Sequence, residues 1–169
     1  LCHILLDPGA QEYAANQGRE EARHVTGFTN YIKGHWGKPT TMDPFLLGLI
    51  TEMVYSPLVW KTIVGLQMVL EGIAMGLFSN FYQFSNDPVL KRLLQFTMTD
   101  EAFHHKFGKI WADKTVPHLP ESEREQIEDW AWTMFSAFLN GGNFGFEHKQ
   151  GLYAEVGLDW KWVRDAVME

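Results

Sequence analysis

Two short segments of the chain pair a glutamate with a histidine three residues later. Glu21 and His24 form the first pair, and Glu101 and His104 form the second. Because residues i and i+3 share a face of an α-helix, each pair can aim a carboxylate oxygen and an imidazole nitrogen at one point. A single such pair arises easily by chance. Two pairs, each preceded directly by another acid, indicate a metal site built from two helices.

A third carboxylate lies between the two pairs, in the apolar stretch of residues 57–84. Glu71 is the only acid in that stretch. An ionised carboxylate is costly to bury there unless it is paired or binds metal. The alternative is a glutamate on a solvent-facing stripe, but the flanking turns offer no polar stripe. Thirty residues separate Glu71 from Glu101, which suits two antiparallel helices joined by a turn at residues 85–88.

Start and stop signals predict helices along the whole chain, and no convincing strand. We interpret residues 1–169 as a single all-α domain. A glycine-rich tail follows residue 140 and predicts no clear element before the last helix. The predicted helices run from Gly9 to Ile32, from Asp43-Pro44 to Tyr55, from Ser56-Pro57 to Phe84, from Pro88 to Thr115, from Leu119 to about Leu139 and from Asp159 to Met168.

The chain supplies three carboxylates to the predicted site. Glu12 is nine residues from Glu21 and therefore faces another way at about 100° per residue. Because the sequence begins with Leu1, we expect it to be the C-terminal part of a longer chain. The fourth carboxylate would then come from a preceding helix, or its place would be taken by water or by another chain, and a groove beside the Glu21 helix should be open. Completion of the site by Glu52 or Glu128 would contradict this expectation.

With these positions in place, the chain resembles the ferritin-like di-iron carboxylate superfamily, whose pattern is Glu, ExxH, Glu, ExxH. The resemblance covers roughly residues 9–115 and is closer to the oxygenase and ribonucleotide-reductase-like branches than to iron-storage ferritins. It implies a ferritin-like helical bundle with additional C-terminal helices. It implies two iron ions, with manganese at one or both positions as the alternative. The implied metal ligands are Glu21, His24, Glu71, Glu101 and His104.

The resemblance also gives a role to the acid that precedes each motif. In several members an aspartate just before the second ExxH glutamate hydrogen-bonds a metal-bound histidine, which fixes the orientation of the ring. Asp100 would then orient His24, and Glu20 would orient His104; a solvated helix flank is the alternative for both acids. His105 is the alternative to His104 as ligand, but His24 has the same offset from its glutamate as His104.

The residues around the predicted ligands bear on the reaction. Phe28 stands where ribonucleotide reductase small subunits carry a radical tyrosine, which argues against a reductase subunit. Monooxygenases and desaturases tend to place a threonine within a turn after the glutamate that corresponds to Glu71, and none is present here. Glycines one turn apart leave room either for a substrate channel or for close helix packing. The predicted channel residues are Gly72, Met75, Gly76, Phe78 and Phe81.

The amino-acid composition bears on the cellular compartment and on the binding partners of the chain. A net charge of −7 disfavours nucleic acid, which requires a basic surface. A single cysteine, Cys2, precludes an internal disulfide and favours the cytoplasm. The apolar stretch is long enough to raise the question of a membrane span. Lys61, Gln67 and Glu71 inside it favour a buried bundle helix without contact to a membrane.

These patterns favour a di-metal oxidoreductase that activates O₂ and oxidises a small or elongated apolar substrate, with an electron donor that the sequence does not identify. A ferroxidase or iron-handling protein is one alternative. A bundle that keeps the site as a structural staple, or serves as a partner-binding subunit, is another. A homodimer is one assembly consistent with either enzyme class.

Overall fold

The computed structural model describes residues 1–140, 150–155 and 159–168, and every regular element in these ranges is helical. The all-α prediction is therefore confirmed. The elements are α1 (Pro8–Trp36), α2 (Pro44–Tyr55), a π-helical segment π1 (Lys61–Leu70) that continues into α3 (Glu71–Phe84), α4 (Pro88–Thr115), a 3₁₀ turn (Val116–His118), α5 (Glu121–Asn140), α6 (Gln150–Glu155) and α7 (Trp160–Met168).

Aspartate–proline pairs begin three of the helices, as the sequence predicts. The side chains of Asp7, Asp43 and Asp87 accept hydrogen bonds from backbone N–H groups of the first turn, and a proline follows each at the first helical position. The end of α1 lies at Trp36, four residues beyond the prediction. There Gly37 adopts a φ of 84°, the left-handed conformation that commonly ends helices at glycine.

The long apolar helix begins later than predicted, and its first part is π-helical. Its first ten residues form π1, in which the backbone N–H of Glu71 bonds to the carbonyl of Leu66, five residues back. The segment packs closely against α5, because a Cβ atom at Gly65 would overlap the ring of Trp130. Short π segments occur often at functional sites. This one ends where the predicted ligand Glu71 begins α3.

The helix α4 lies between α1 and α3 and runs antiparallel to both. Tyr31, near the end of α1, donates a hydrogen bond to Asp87, which caps the start of α4. On the other side, α2 and α5 pack against π1, and α7 packs against α3. The largest apolar core joins α2, α3 and α5 through Met53, Ile73 and Phe138. The arrangement is bundle-like and holds α1, α3 and α4 around one interior region.

One described stretch, Lys61–Phe84, is long and apolar enough to cross a membrane, with 24 residues and a mean hydropathy of 1.5. Length and composition alone are weak evidence for a membrane span, because the core helix of a globular protein meets the same criteria. Glu71 lies buried inside this stretch, with 6% of its surface exposed. Its neighbours across the interior are polar side chains of α1 and α4.

Candidate metal centre

Side chains from α1, α3 and α4 converge at one point in the interior. Glu21, Glu71, Glu101 and His104 each offer an oxygen or nitrogen atom, and these four atoms all lie within 4.8 Å of one another. Three of the side chains are buried and Glu21 is half-buried. The i, i+3 spacing on α4 places Glu101 and His104 on one helical face. The thirty-residue spacing brings Glu71 to the same height on the antiparallel neighbour.

Both imidazoles turn their Nδ1 atoms towards the carboxylates. Nδ1 of His104 lies 2.7 Å from Oε2 of Glu101 and 3.1 Å from Oε1 of Glu21. Nδ1 of His24 lies 3.3 Å from Oε1 of Glu101 and 3.4 Å from Oε2 of Glu21, but without the alignment of a hydrogen bond. Buried polar atoms normally have hydrogen-bond partners. A buried ring nitrogen that faces two carboxylates without one fits a metal ligand.

The outward nitrogens are held by the two acids that precede the motifs. Nε2 of His24 donates to Oδ2 of Asp100 over 2.9 Å, and Nε2 of His104 lies 3.0 Å from Oε2 of Glu20. The guanidinium of Arg23 also donates to Oδ2 of Asp100, over 2.8 Å. These are the two contacts that the resemblance implies. Each helix thus fixes the ring orientation of the histidine on the other helix, and Nδ1 of each ring is left for the interior.

Different contacts separate the pKa values of the two innermost carboxyl groups, although burial acts in the same direction on both. Burial and the contact with Glu101 raise the pKa of Glu71 to about 9. Burial would also raise the pKa of Glu101, but contacts with His104, His24 and Glu71 outweigh it and lower that pKa to about 2. Nε2 of Gln17 donates to Oε1 of Glu71 over 3.2 Å. At neutral pH the metal-free site therefore holds Glu71 protonated beside an ionised Glu101.

The histidines are protonated as well. Burial alone would lower the pKa of His24, but contacts with Glu101, Glu21 and Asp100 raise it to about 10. For His104, burial is likewise outweighed by contacts with three glutamates, and its pKa rises to about 10. Protons on Glu71, His24 and His104 thus balance the carboxylates in the metal-free protein. Metal ions that bind these atoms must displace the protons.

Two residues of α1 that were not among the predicted site residues lie next to the cluster. Gln17 is 6% exposed and hydrogen-bonds Glu71. Tyr13 stacks on Phe107 with ring centroids 4.5 Å apart, and burial, together with the charge of Glu20, raises its pKa to about 12. Both lie on the helical face of Glu21, one and two turns before it. This spacing was the available signal in the sequence.

The alternative ligands lie elsewhere. His105 faces Gly72 on α3, where a Cβ atom would lie 3.9 Å from its ring. Glu52 accepts a hydrogen bond from Trp130 at the surface, and Glu128 is exposed on α5. In the ranges that the structure describes, the converging cluster contains three glutamates and no fourth.

An apolar groove opens onto the carboxylates between α1 and α3, where an open groove is expected from the sequence. Its volume is about 610 Å³. Glu21, Glu71 and Glu101 border one part of the groove, and apolar side chains such as Leu46 and Leu77 form its walls. Val25 of α1 also lines the groove and is 66% exposed. The site therefore combines buried charged groups with an adjacent space for an apolar molecule.

One of the five predicted channel residues lines this groove. Phe78 lines the groove, but Gly72, Met75, Gly76 and Phe81 do not. The residues of α3 that line the groove are Glu71 and the residues two, three, six and seven positions after it. Gly72 instead faces α4, and Phe81 is 41% exposed at the surface. The assignment of these residues to a substrate channel stays a prediction.

Asp100→Asn tests the role of the hydrogen bond to His24. The amide keeps the size of the side chain but loses the charge that accepts from both Nε2 of His24 and Arg23. We expect metal affinity to fall roughly 10- to 100-fold, measured by competition with a chelator. Asp113→Asn is the matched control, since Asp113 lies on the same helix and pairs with exposed Lys109. Equal affinity of both variants would mean that Asp100 does not orient a metal ligand.

Comparisons of the chain with protein-family models, with curated proteins and with solved structures found no match. The functional interpretation therefore rests on the geometry and chemistry of the site itself.

Proposed function

We propose that the cluster binds two metal ions, iron or manganese, and that the protein is an oxidoreductase that uses O₂ to oxidise an apolar molecule held in the groove. We also propose that it is a member of the ferritin-like di-iron carboxylate superfamily and acts in the cytoplasm. The observation that carries the proposal is the juxtaposition of three carboxylates and two inward-facing imidazoles with the 610 Å³ groove.

The donor set fits this class of metal. Carboxylate oxygens with one imidazole for each ion suit iron and manganese better than metals that prefer thiolates. Glu21, Glu71, Glu101, His24 and His104 would be the ligands. Glu101 would help to hold the metals together with both histidines, because its two oxygens approach different imidazoles: Oε1 lies 3.3 Å from Nδ1 of His24 and Oε2 lies 2.7 Å from Nδ1 of His104.

The side chains around the ligands have separate tasks. A bound pair of ferrous ions would supply two electrons to O₂, chemistry that belongs to the metals. Asp100 and Glu20 hold the imidazole rings in place. Burial raises the pKa of Glu71 to about 9 in the metal-free protein, so its carboxyl group would give up a proton when a metal ion binds. The apolar walls of the groove hold the substrate and limit the access of water to the carboxylates.

Oxygen uptake by the iron-loaded protein tests this proposal. The protein is loaded with Fe(II) without air, its metal content is measured, and O₂ consumption is followed with and without lauric acid or naphthalene as probes. We expect rapid uptake and a change in the ferric absorption spectrum when a probe binds. Ala74→Trp, which fills the groove, should abolish the probe effect and keep the metal. Ser79→Trp is the control, since Ser79 is exposed on the same helix.

The alternatives give different results in the same experiment. A ferroxidase would consume O₂ with no response to either probe and with no difference between the two variants. If the metal site only stabilises the fold, metal binding would raise the midpoint of thermal unfolding, but the loaded protein would not consume O₂. Failure to bind two metal ions would overturn the proposed site as well as the proposed reaction.

A further inference from the structure

The outer face of α4 carries an apolar stripe that the proposed chemistry does not use. Val89, Phe96, Phe103 and Ile110 follow one another at intervals of seven residues and are 62%, 56%, 59% and 43% exposed. Residues seven apart lie on nearly the same line along a helix, with a drift of about 20° for each interval. The four side chains thus form one continuous exposed row, which we call the α4 stripe. A seven-residue apolar period is the pattern by which helices pack against helices.

A pocket lies directly beside the stripe. It has a volume of about 370 Å³ and is lined by Arg23 and Gly27 of α1 and by Leu93, Phe96 and Thr99 of α4. An engineered cavity of about 150 Å³ accommodates benzene, so the pocket has room for an aromatic ring. The α4 stripe and the pocket give one face both protruding rings and a site to receive a ring.

We propose that this face binds the same face of a second copy of the chain. The two α4 helices pack antiparallel about a two-fold axis midway between Phe96 and Phe103, and Phe103 of each copy enters the pocket beside Phe96 of the other. The even spacing of the stripe then brings Val89 of one copy onto Ile110 of the other in the same register. A two-fold interface requires such a self-complementary surface, in which each contact occurs twice.

The size of the face is sufficient for a dimer. The stripe from Val89 to Ile110 is about 32 Å long at 1.5 Å per residue, and α4 with the edge of α1 is about 20 Å wide. Each copy would then bury about 640 Å², so the total of about 1,300 Å² lies within the range of stable interfaces. The two phenylalanines occupy the middle of this area, where aromatic anchors contribute most to affinity. The Phe96 ring is already fixed by the guanidinium of Arg92, 4.2 Å from its centroid.

The contact would also cover part of the candidate metal centre. Asp100 and His24 contribute to the wall of the pocket, and Arg23 stands at its edge with 56% of its side chain exposed. A ring inserted from the second copy would exclude water from the hydrogen bond between Asp100 and His24. Electrostatic contacts become stronger when water is excluded. The dimer would therefore support the orientation of one predicted ligand, although its formation does not depend on metal.

Light scattering on the purified chain measures the assembly directly. We expect a mass of about twice the 19.5 kDa of one chain. Phe103→Glu and Phe96→Lys should each give a monomer with unchanged helical content, because both side chains are largely exposed. Trp132→Glu is the control, since Trp132 is 65% exposed on α5 and should leave the dimer intact.

Mixing the two charged variants tests the antiparallel register. In a mixed dimer, the lysine at position 96 of one chain faces the glutamate at position 103 of the other, and the second contact keeps both phenylalanines. We expect the mixture to form a heterodimer from two monomeric variants. A wild-type monomer at high micromolar concentration, or a dimer that both variants leave intact, would overturn the proposal. Monomeric variants that stay monomeric on mixing would overturn the antiparallel arrangement.

Discussion

Glu71→Gln is expected to separate metal binding from folding. The Glu71 carboxyl group is protonated at neutral pH in the metal-free protein, since its pKa is about 9, and a glutamine amide is neutral and nearly the same shape. The variant should therefore fold with an unchanged or higher unfolding midpoint. Its metal affinity should fall by more than the roughly 10- to 100-fold loss typical of an outer hydrogen-bond partner.

Glu71→Ala should impair both metal binding and the stability of the fold. It removes a ligand and leaves Gln17 without its hydrogen-bond acceptor, so at least one of two metal ions should be lost. The metal-free variant should also lose about 1–3 kcal/mol of stability. Mass spectrometry of the metals and chemical unfolding measure the two effects. Glu128→Gln, an exposed change on α5, is the control. Two ions retained in Glu71→Ala would remove Glu71 from the ligand set.

The metal-free protein should lose stability as the pH rises from about 7 to about 10. The pKa values of His24 and His104 are raised from 6.5 to about 10 by folding. Their contribution is therefore complete below 6.5 and disappears as the pH passes 10. Glu71 acts with the same sign, because its pKa rises from 4.5 to about 9. Glu101 acts in the acid range, since its lowered pKa stabilises the fold above 4.5 and this contribution is lost towards pH 2.

Metal binding should show the reverse dependence on pH. The ions displace protons from Glu71, His24 and His104, so affinity should rise with pH and proton release should accompany binding. Urea unfolding in the presence of a chelator measures the stability of the metal-free protein at each pH. Titration of Mn(II) into weakly buffered protein measures the release of protons on metal binding. Glu71→Gln should reduce both the decline in stability and the number of protons released. Stability that stays constant from pH 7 to pH 10 would contradict the assignment of these protons.

Local spacing was sufficient to predict which side chains meet. The i, i+3 intervals of the two motifs and the thirty residues between Glu71 and Glu101 depend only on helical geometry and a short turn. Aspartate–proline starts likewise predicted where α1, α2 and α4 begin. These features depend on residue spacing along the chain, so they could be identified from a single sequence. The identity of the metals and the reaction stay predictions.

Features that depend on the relative placement of helices were harder to predict. Within π1, Gly65 closely approaches Trp130, a residue 65 positions away. The groove takes walls from α2 as well as from α3, and no periodicity within α3 reports where α2 lies. The walls of the groove therefore could not be assigned from the sequence of α3 alone. Residues 141–149 of the glycine-rich tail lie outside the described residues.

The attachment of α1 has a consequence for how the protein opens. Among the described elements, α1 packs chiefly against α4. It is held by a small apolar cluster around Phe107, by Tyr31 and by the crossed hydrogen bonds of His24 and His104. Such a helix can detach as a unit at a lower free energy than global unfolding. Its backbone amides should exchange with deuterium before those of α3 and α4. Each detachment would expose all five predicted ligands to solvent at once, which would give ions a route into the site in addition to the apolar groove.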